Sequence, residues 1–172
     1  MKTRQKEHIM KLLTASFALG WLLAAGCLSE RDNLVLDPVG PPPSSGAVGD
    51  RGNLVVYSAY DPHANYSGFE HRTTYTDYKI FSKDGSLLRK VRNDTGHSLG
   101  GPVNVALPTG DYQVEAQANG YGLVKVPVVI KGNQVTVVHL EGGGSWPNRA
   151  EMIQTGAVRL PDGRVVGWRA AP

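Results

Sequence analysis

Between residues 54 and 140 the chain is a series of short runs rich in Val, Tyr and Thr, broken by turn residues every seven to fifteen positions. Runs of that length, enriched in β-branched and aromatic side chains, suit extended strands and are too short for stable helices. The presence of 21 Gly and 11 Pro disfavours long helices elsewhere as well. The spacing predicts strands over 54–60, 75–81, 86–92, 103–107, 112–118, 123–130 and 135–140. Turns between them have a mechanism, because Lys83-Asp84-Gly85, Asn119-Gly120 and Lys131-Gly132-Asn133 can supply the positive φ that hairpins need. In 112–118 the pattern alternates, with Tyr112, Val114, Ala116 and Ala118 inward and Gln113, Glu115 and Gln117 outward. Pro127 cannot donate to a ladder, which assigns its strand to an edge or a bulge. A length of 172 residues allows one ordinary domain with an extension. The expected fold is all-β, a seven-stranded antiparallel β-sandwich.

The amino terminus carries a different signal. Residues 1–11 are polar and basic, and Leu12 to Ala25 follow as fourteen residues without a charge. Fourteen residues of helix reach about 21 Å, short of a hydrocarbon core of about 30 Å, so a secretory signal is expected over 1–26 in place of a stable membrane span. The run ends in Leu23-Ala24-Ala25-Gly26-Cys27, which resembles a bacterial lipobox, with Ala24 where Leu is commoner. That resemblance implies cleavage before Cys27 and attachment of two or three acyl chains to it, with palmitate-like chains holding the protein on a membrane. Cys27 is the only Cys, which excludes an internal disulfide framework and any multi-cysteine metal cluster. Leu28 follows it, where Asp would imply inner-membrane retention, so the lipoprotein resemblance implies the outer membrane of the bacterial envelope.

Charge narrows the partners. Of the 18 Lys and Arg, four fall in the first 26 residues with one of the 15 Asp and Glu, leaving 14 against 14 beyond. A formally neutral body lacks the basic face that phosphate neutralisation needs, so nucleic acid is not an expected partner. Residues 27–52, with Pro38, Pro41, Pro42 and Pro43 among small and polar residues, read as the lipidated Cys and a tether. The alternative is that Leu34, Val35 and Leu36 dock on the domain as a first strand.

Within 53–140, Leu107-Pro108-Thr109-Gly110-Asp111-Tyr112-Gln113-Val114 is followed by Ala118-Asn119-Gly120-Tyr121-Gly122. These phrases resemble the carboxypeptidase regulatory-like domain, also called prealbumin-like or transthyretin-like. The resemblance implies a corner in which Gly110 turns the chain, the Tyr112 ring is buried and its hydroxyl bonds nearby backbone, as in the tyrosine corner of sandwich folds. Gly120 serves the next turn. It also implies a non-catalytic accessory module. The enzymatic branch of that group, which hydrolyses 5-hydroxyisourate, carries a terminal Tyr-Arg-Gly-Ser; the corresponding stretch here reads Gly167-Trp168-Arg169-Ala170-Ala171-Pro172, so that activity is not expected.

Seven of the eleven aromatics beyond residue 27 lie in 57–81. Tyr57, Tyr78 and Phe81 fall in predicted strands and are expected in the core. The intervening loop 61–74 is long for a sandwich connection. Tyr60, Tyr66, Phe69 and Tyr75 can offer flat faces to a sugar ring or a peptide, with Asp61, Glu70 and Arg72 as polar partners, or can fold back on the sandwich. His63 and His71, with Asp61, Glu70 and Asp77, offer nitrogen and oxygen ligands for a divalent ion, but their spacing matches no metal signature. His97 and His139 read as surface or satisfied core histidines. No Gly-x-Ser-x-Gly elbow or phosphate loop is present. Asn65-Tyr66-Ser67 and Asn93-Asp94-Thr95 match the glycosylation acceptor, a pattern usually silent in a bacterial cell.

Residues 141–172 read as a Gly-rich hinge and a hairpin anchored by Trp168, which packs on its own domain, pairs with a sheet edge, or waits for a partner. The combined expectation is a membrane-anchored, non-enzymatic envelope lipoprotein without a cofactor, in contact with a protein or glycan. Two alternatives are a carbohydrate-binding module using 61–74 and a metal-assisted hydrolase using His63 and His71.

Overall fold

A computed structural model describes residues 34–43, 49–60, 75–93, 101–142 and 156–171, all within a unit that runs from Leu34 to Pro172. Among the described residues there is no helix. Ten strands follow in order: β1 (Val39–Gly40), β2 (Arg51–Tyr57), β3 (Tyr78–Ser82), β4 (Leu87–Val91), β5 (Asn104–Pro108), β6 (Gly110–Ala118), β7 (Gly122–Ile130), β8 (Val135–His139), β9 (Ala157–Arg159) and β10 (Val165–Arg169). They form a seven-stranded sheet, β4-β3-β6-β7-β1-β10-β9, and a three-stranded sheet, β5-β2-β8. The all-β expectation holds. The expectation of seven strands, all antiparallel, does not, because β1 joins β7 and β2 joins β8 in parallel.

The alternating strands build the core as their sequences dictate. Along β6, Val114, Ala116 and Ala118 are buried, and opposite them on β7 lie Val126, Val124 and Gly122. The register runs unbroken from Gly110↔Ile130 to Ala118↔Gly122, and Gly120 turns the hairpin at φ 74°. From the smaller sheet come Leu54, Val56, Val105, Leu107 and Val138, which share one continuous apolar cluster with Ile80, Val114 and Val126 of the larger one. Non-directional burial of this kind is the main force holding two sheets together. In the turn at Lys131-Gly132-Asn133 the positive φ belongs to Asn133, at 54°. Gly132 has a different duty there: a Cβ on it would lie 2.0 Å from the Gly49 carbonyl oxygen, so the two segments touch backbone to backbone.

Two sequence expectations need correction. The tether assigned to 27–52 ends earlier, since Leu36 and Val39 are buried and Val39–Gly40 sits between β7 and β10. The stretch Leu34–Leu36 docks without being a strand itself. Prolines on either side masked this: Pro38 and Pro41 suit an extended chain, and two residues are enough to bridge two strands that already have other partners. Second, β7 is an interior strand. Pro127 is tolerated because the far side of β7 is met only by two-residue β1, through Val39↔Val128. The carboxy-terminal hairpin packs on its own domain, the first of the three places expected for it. β10 pairs with β1 through Val39↔Arg169 and Gly40↔Trp168, Ala170 N donates to Pro38 O at 2.8 Å, and Arg169 meets Asp37 at 2.8 Å.

Candidate functional site

On β2 the side chains of Leu54 and Val56 point to the core, so Tyr57 points to the opposite face of the smaller sheet. Parallel pairing sets His139 of β8 beside it, and the two rings stack with centroids 4.5 Å apart and planes within 7°. This corrects the expectation of Tyr57 as a core residue. Tyr78 is the core tyrosine, 2 % exposed, and burial pushes its phenol well above the ordinary range.

Past Tyr57 the chain crosses towards the larger sheet. Ala59 N donates to Gln117 O at 2.7 Å, and Thr76 N donates to Ala59 O at 2.9 Å. An antiparallel bridge pairs Tyr60 with Tyr75, closing the base of the long loop. Their rings lie 5.7 Å apart and tilted, and the Tyr75 ring meets Tyr57 edge-on at 5.6 Å. Tyr60 is 43 % exposed and the other two are half-buried. Such tilted and edge-on arrangements suit aromatic quadrupoles and leave ring faces available.

At the foot of this cluster is Glu141, 9 % exposed. His139 and Glu141 stand two residues apart at the end of β8, so an extended backbone puts both on one face. His139 Nδ1 and Glu141 Oε1 are 2.7 Å apart, and Asn119 Nδ2 holds the Glu141 carbonyl at 2.5 Å. The second carboxylate oxygen, Oε2, is buried and has no hydrogen-bond partner among the described residues. The phenol of Tyr75 is pushed up to about 12, chiefly by burial and then by Tyr60, Glu141 and Tyr57. The guanidinium of Arg164 bonds Asp162 through Nε at 2.7 Å, lies 5.5 Å from the Tyr121 ring centroid and packs against Gly142.

A second buried polar group sits a few residues away and is complete. Asn93 is 1 % exposed; its Nδ2 donates to Val56 O at 2.9 Å and Ser58 Oγ at 3.0 Å, while Oδ1 accepts from Val103 N at 3.0 Å. Both amide hydrogens are used inside the fold. The Asn93-Asp94-Thr95 match is therefore a structural asparagine and not a carbohydrate acceptor.

Of the aromatic candidates, the structure brings Tyr60 and Tyr75 together, while Tyr66 and Phe69 lie outside the described residues. So do Cys27, His63, His71 and His97. Among the described residues no three His, Cys, Asp or Glu side chains are grouped to hold a metal ion. Trp168, the anchor expected of the hairpin, is 7 % exposed in β10. The corner at Tyr112 has the expected hydrogen bond, Oη donating to Pro108 O at 3.0 Å, with the ring folded back over Gly110 at φ 149°. The ring is half-buried, less enclosed than the tyrosine-corner resemblance implies. Beside it is a groove of about 330 Å³ lined by Pro38, Lys83, Asp111, Tyr112 and Pro127, whose charges pair with each other at 2.9 Å.

Neither Glu141 nor its contact with His139 was visible as a site in the sequence. The only available sign was a His-x-Glu spacing at a strand end, which many solvated faces share. Comparison with known proteins finds no family model, no curated relative and no solved structure that matches the chain.

Proposed function

We propose that the chain is a non-enzymatic lipoprotein of the bacterial envelope with two parts: an acylated Cys27 as anchor and an all-β body as contact module. The observation that carries this reading is Leu23-Ala24-Ala25-Gly26-Cys27, with the only Cys of the chain placed directly after a charge-free run. Two acyl chains, at about 0.8 kcal/mol per buried CH₂, suffice for stable anchoring. Six residues, 28–33, separate Cys27 from the first docked segment, and such a stretch spans at most about 25 Å. The body is then held close to the membrane surface, and Leu28 favours the outer membrane. Mass spectrometry of the amino terminus, on protein extracted from membranes, tests this: the expected mass is that of a chain starting at Cys27 with a diacylglyceryl group. A soluble protein with a free thiol at Cys27 overturns it.

The finer fold reading, a prealbumin-like accessory module, is supported by the Tyr112 to Pro108 bond over Gly110. A second functional reading, a carbohydrate-binding module, draws support from the exposed Tyr60 ring beside Tyr75. Glycan-array binding that disappears in Tyr60→Ala is its expected result, and no glycan response from the native protein removes it.

A further inference from the structure

Three features at one end of the smaller sheet call for a common occupant. Glu141 is a carboxylate nine-tenths withdrawn from water, with one oxygen on His139 and the other without a partner among the described residues. Leaving a charged oxygen so placed is costly unless a counter-charge or donor arrives. Next in the same cluster come three tyrosine rings, with Tyr57 stacked on His139, Tyr75 edge-on to Tyr57 and Tyr60 beside Tyr75, and their electron-rich faces attract cations and gain nothing from anions. His139, through its stack and its bond to Oε1, and Asn119, through its bond to the Glu141 carbonyl, hold the residue in place. Tyr60, exposed where the other two are half-buried, marks the side of approach.

We propose that Tyr57, Tyr60, Tyr75 and Glu141 form a binding site for an organic cation, the guanidinium or alkylammonium head of a basic side chain. The carboxylate supplies charge and an acceptor lone pair; the rings supply flat faces on which a weakly hydrated planar cation stacks. The arrangement favours cations over neutral polar ligands, which would bring no counter-charge to the carboxylate. This deepens the contact reading above and rests on it only for the ligand's origin in a partner.

The test uses the full chain and two probes of equal shape, N-acetyl-arginine amide and its neutral counterpart N-acetyl-citrulline amide, followed by calorimetry and ligand-observed NMR. The expected result is saturable binding of the arginine probe, at least about tenfold tighter than the citrulline probe, and lost by at least about tenfold in Glu141→Gln. Tyr60→Ala, a change at an exposed ring, serves if Glu141→Gln does not fold, with an expected several-fold weakening. Equal binding of the two probes, no binding in any of these proteins, or unchanged binding in Glu141→Gln with a native fold overturns the proposal. The state of Cys27, read separately by mass, decides the anchor whatever the probes show.

Discussion

Asn93 and Glu141 are both buried polar side chains at the same end of the domain, and they differ in how completely they are satisfied. Asn93 spends every donor and acceptor of its amide on Val56, Ser58 and Val103, tying β2 to the chain on either side of the connection between β4 and β5. Its backbone N–H is used as well, donating to Asp77 Oδ1 at 3.1 Å. Glu141 has one oxygen placed by His139 and one with no partner among the described residues. A closed network of this kind rigidifies a fold, whereas an open one is costly to the fold alone and is explained by something that arrives from outside it. The first group is architecture; the second is where recognition is to be sought.

The contrast is broken most directly at Asn93. Asn93→Ala leaves the Val103 N–H and the Val56 carbonyl buried without their partner, and a loss of about 2–4 kcal/mol in denaturant unfolding is expected. A loss under about 1 kcal/mol would mean that water replaces the amide, and the distinction from Glu141 would fall. Tyr112→Phe comes next. Because the bond to Pro108 O is solvent-accessible and the ring only half-buried, about 0.5–1.5 kcal/mol is expected from the same measurement. A larger value would show that the corner is more enclosed than its geometry implies.

What the sequence revealed follows from where the determining forces lie. β6 and β7 were legible because their stability is local: alternation selects the buried face, and Asn119-Gly120 sets the turn that fixes the register. β1 was not, because one β-branched residue beside a glycine is too short a signal to mark a strand. Their partners are more than eighty residues away, and the flanking prolines carry the opposite local signal. The hairpin of β9 and β10 was legible as a hairpin, while its place beside β1 depended on a strand that the pattern hides. At the site, Tyr60 and Tyr75 stood out by composition. Glu141 did not, since its burial comes from the crossing of chain segments distant in sequence, and a lone Glu after a strand ordinarily meets water.

The smallest expected effect is the sharpest probe of Glu141. The Tyr75 phenol, raised to about 12, keeps its proton in the folded protein at a pH where the unfolded chain has begun to lose it near 10. The stability this contributes is present below pH 10 and is lost as the pH rises through about 12, because over that interval the unfolded state binds fewer protons than the folded one. Burial is the leading cause, and the Glu141 charge is a lesser one behind Tyr60. In Glu141→Gln, therefore, phenolate absorbance should show the late-titrating tyrosine moving towards 10. Tyr75→Phe identifies that step in the titration by removing it, which separates it from the buried Tyr78. A late step that ignores Glu141→Gln would place the carboxylate's charge away from the rings and remove the electrostatic half of the cation site.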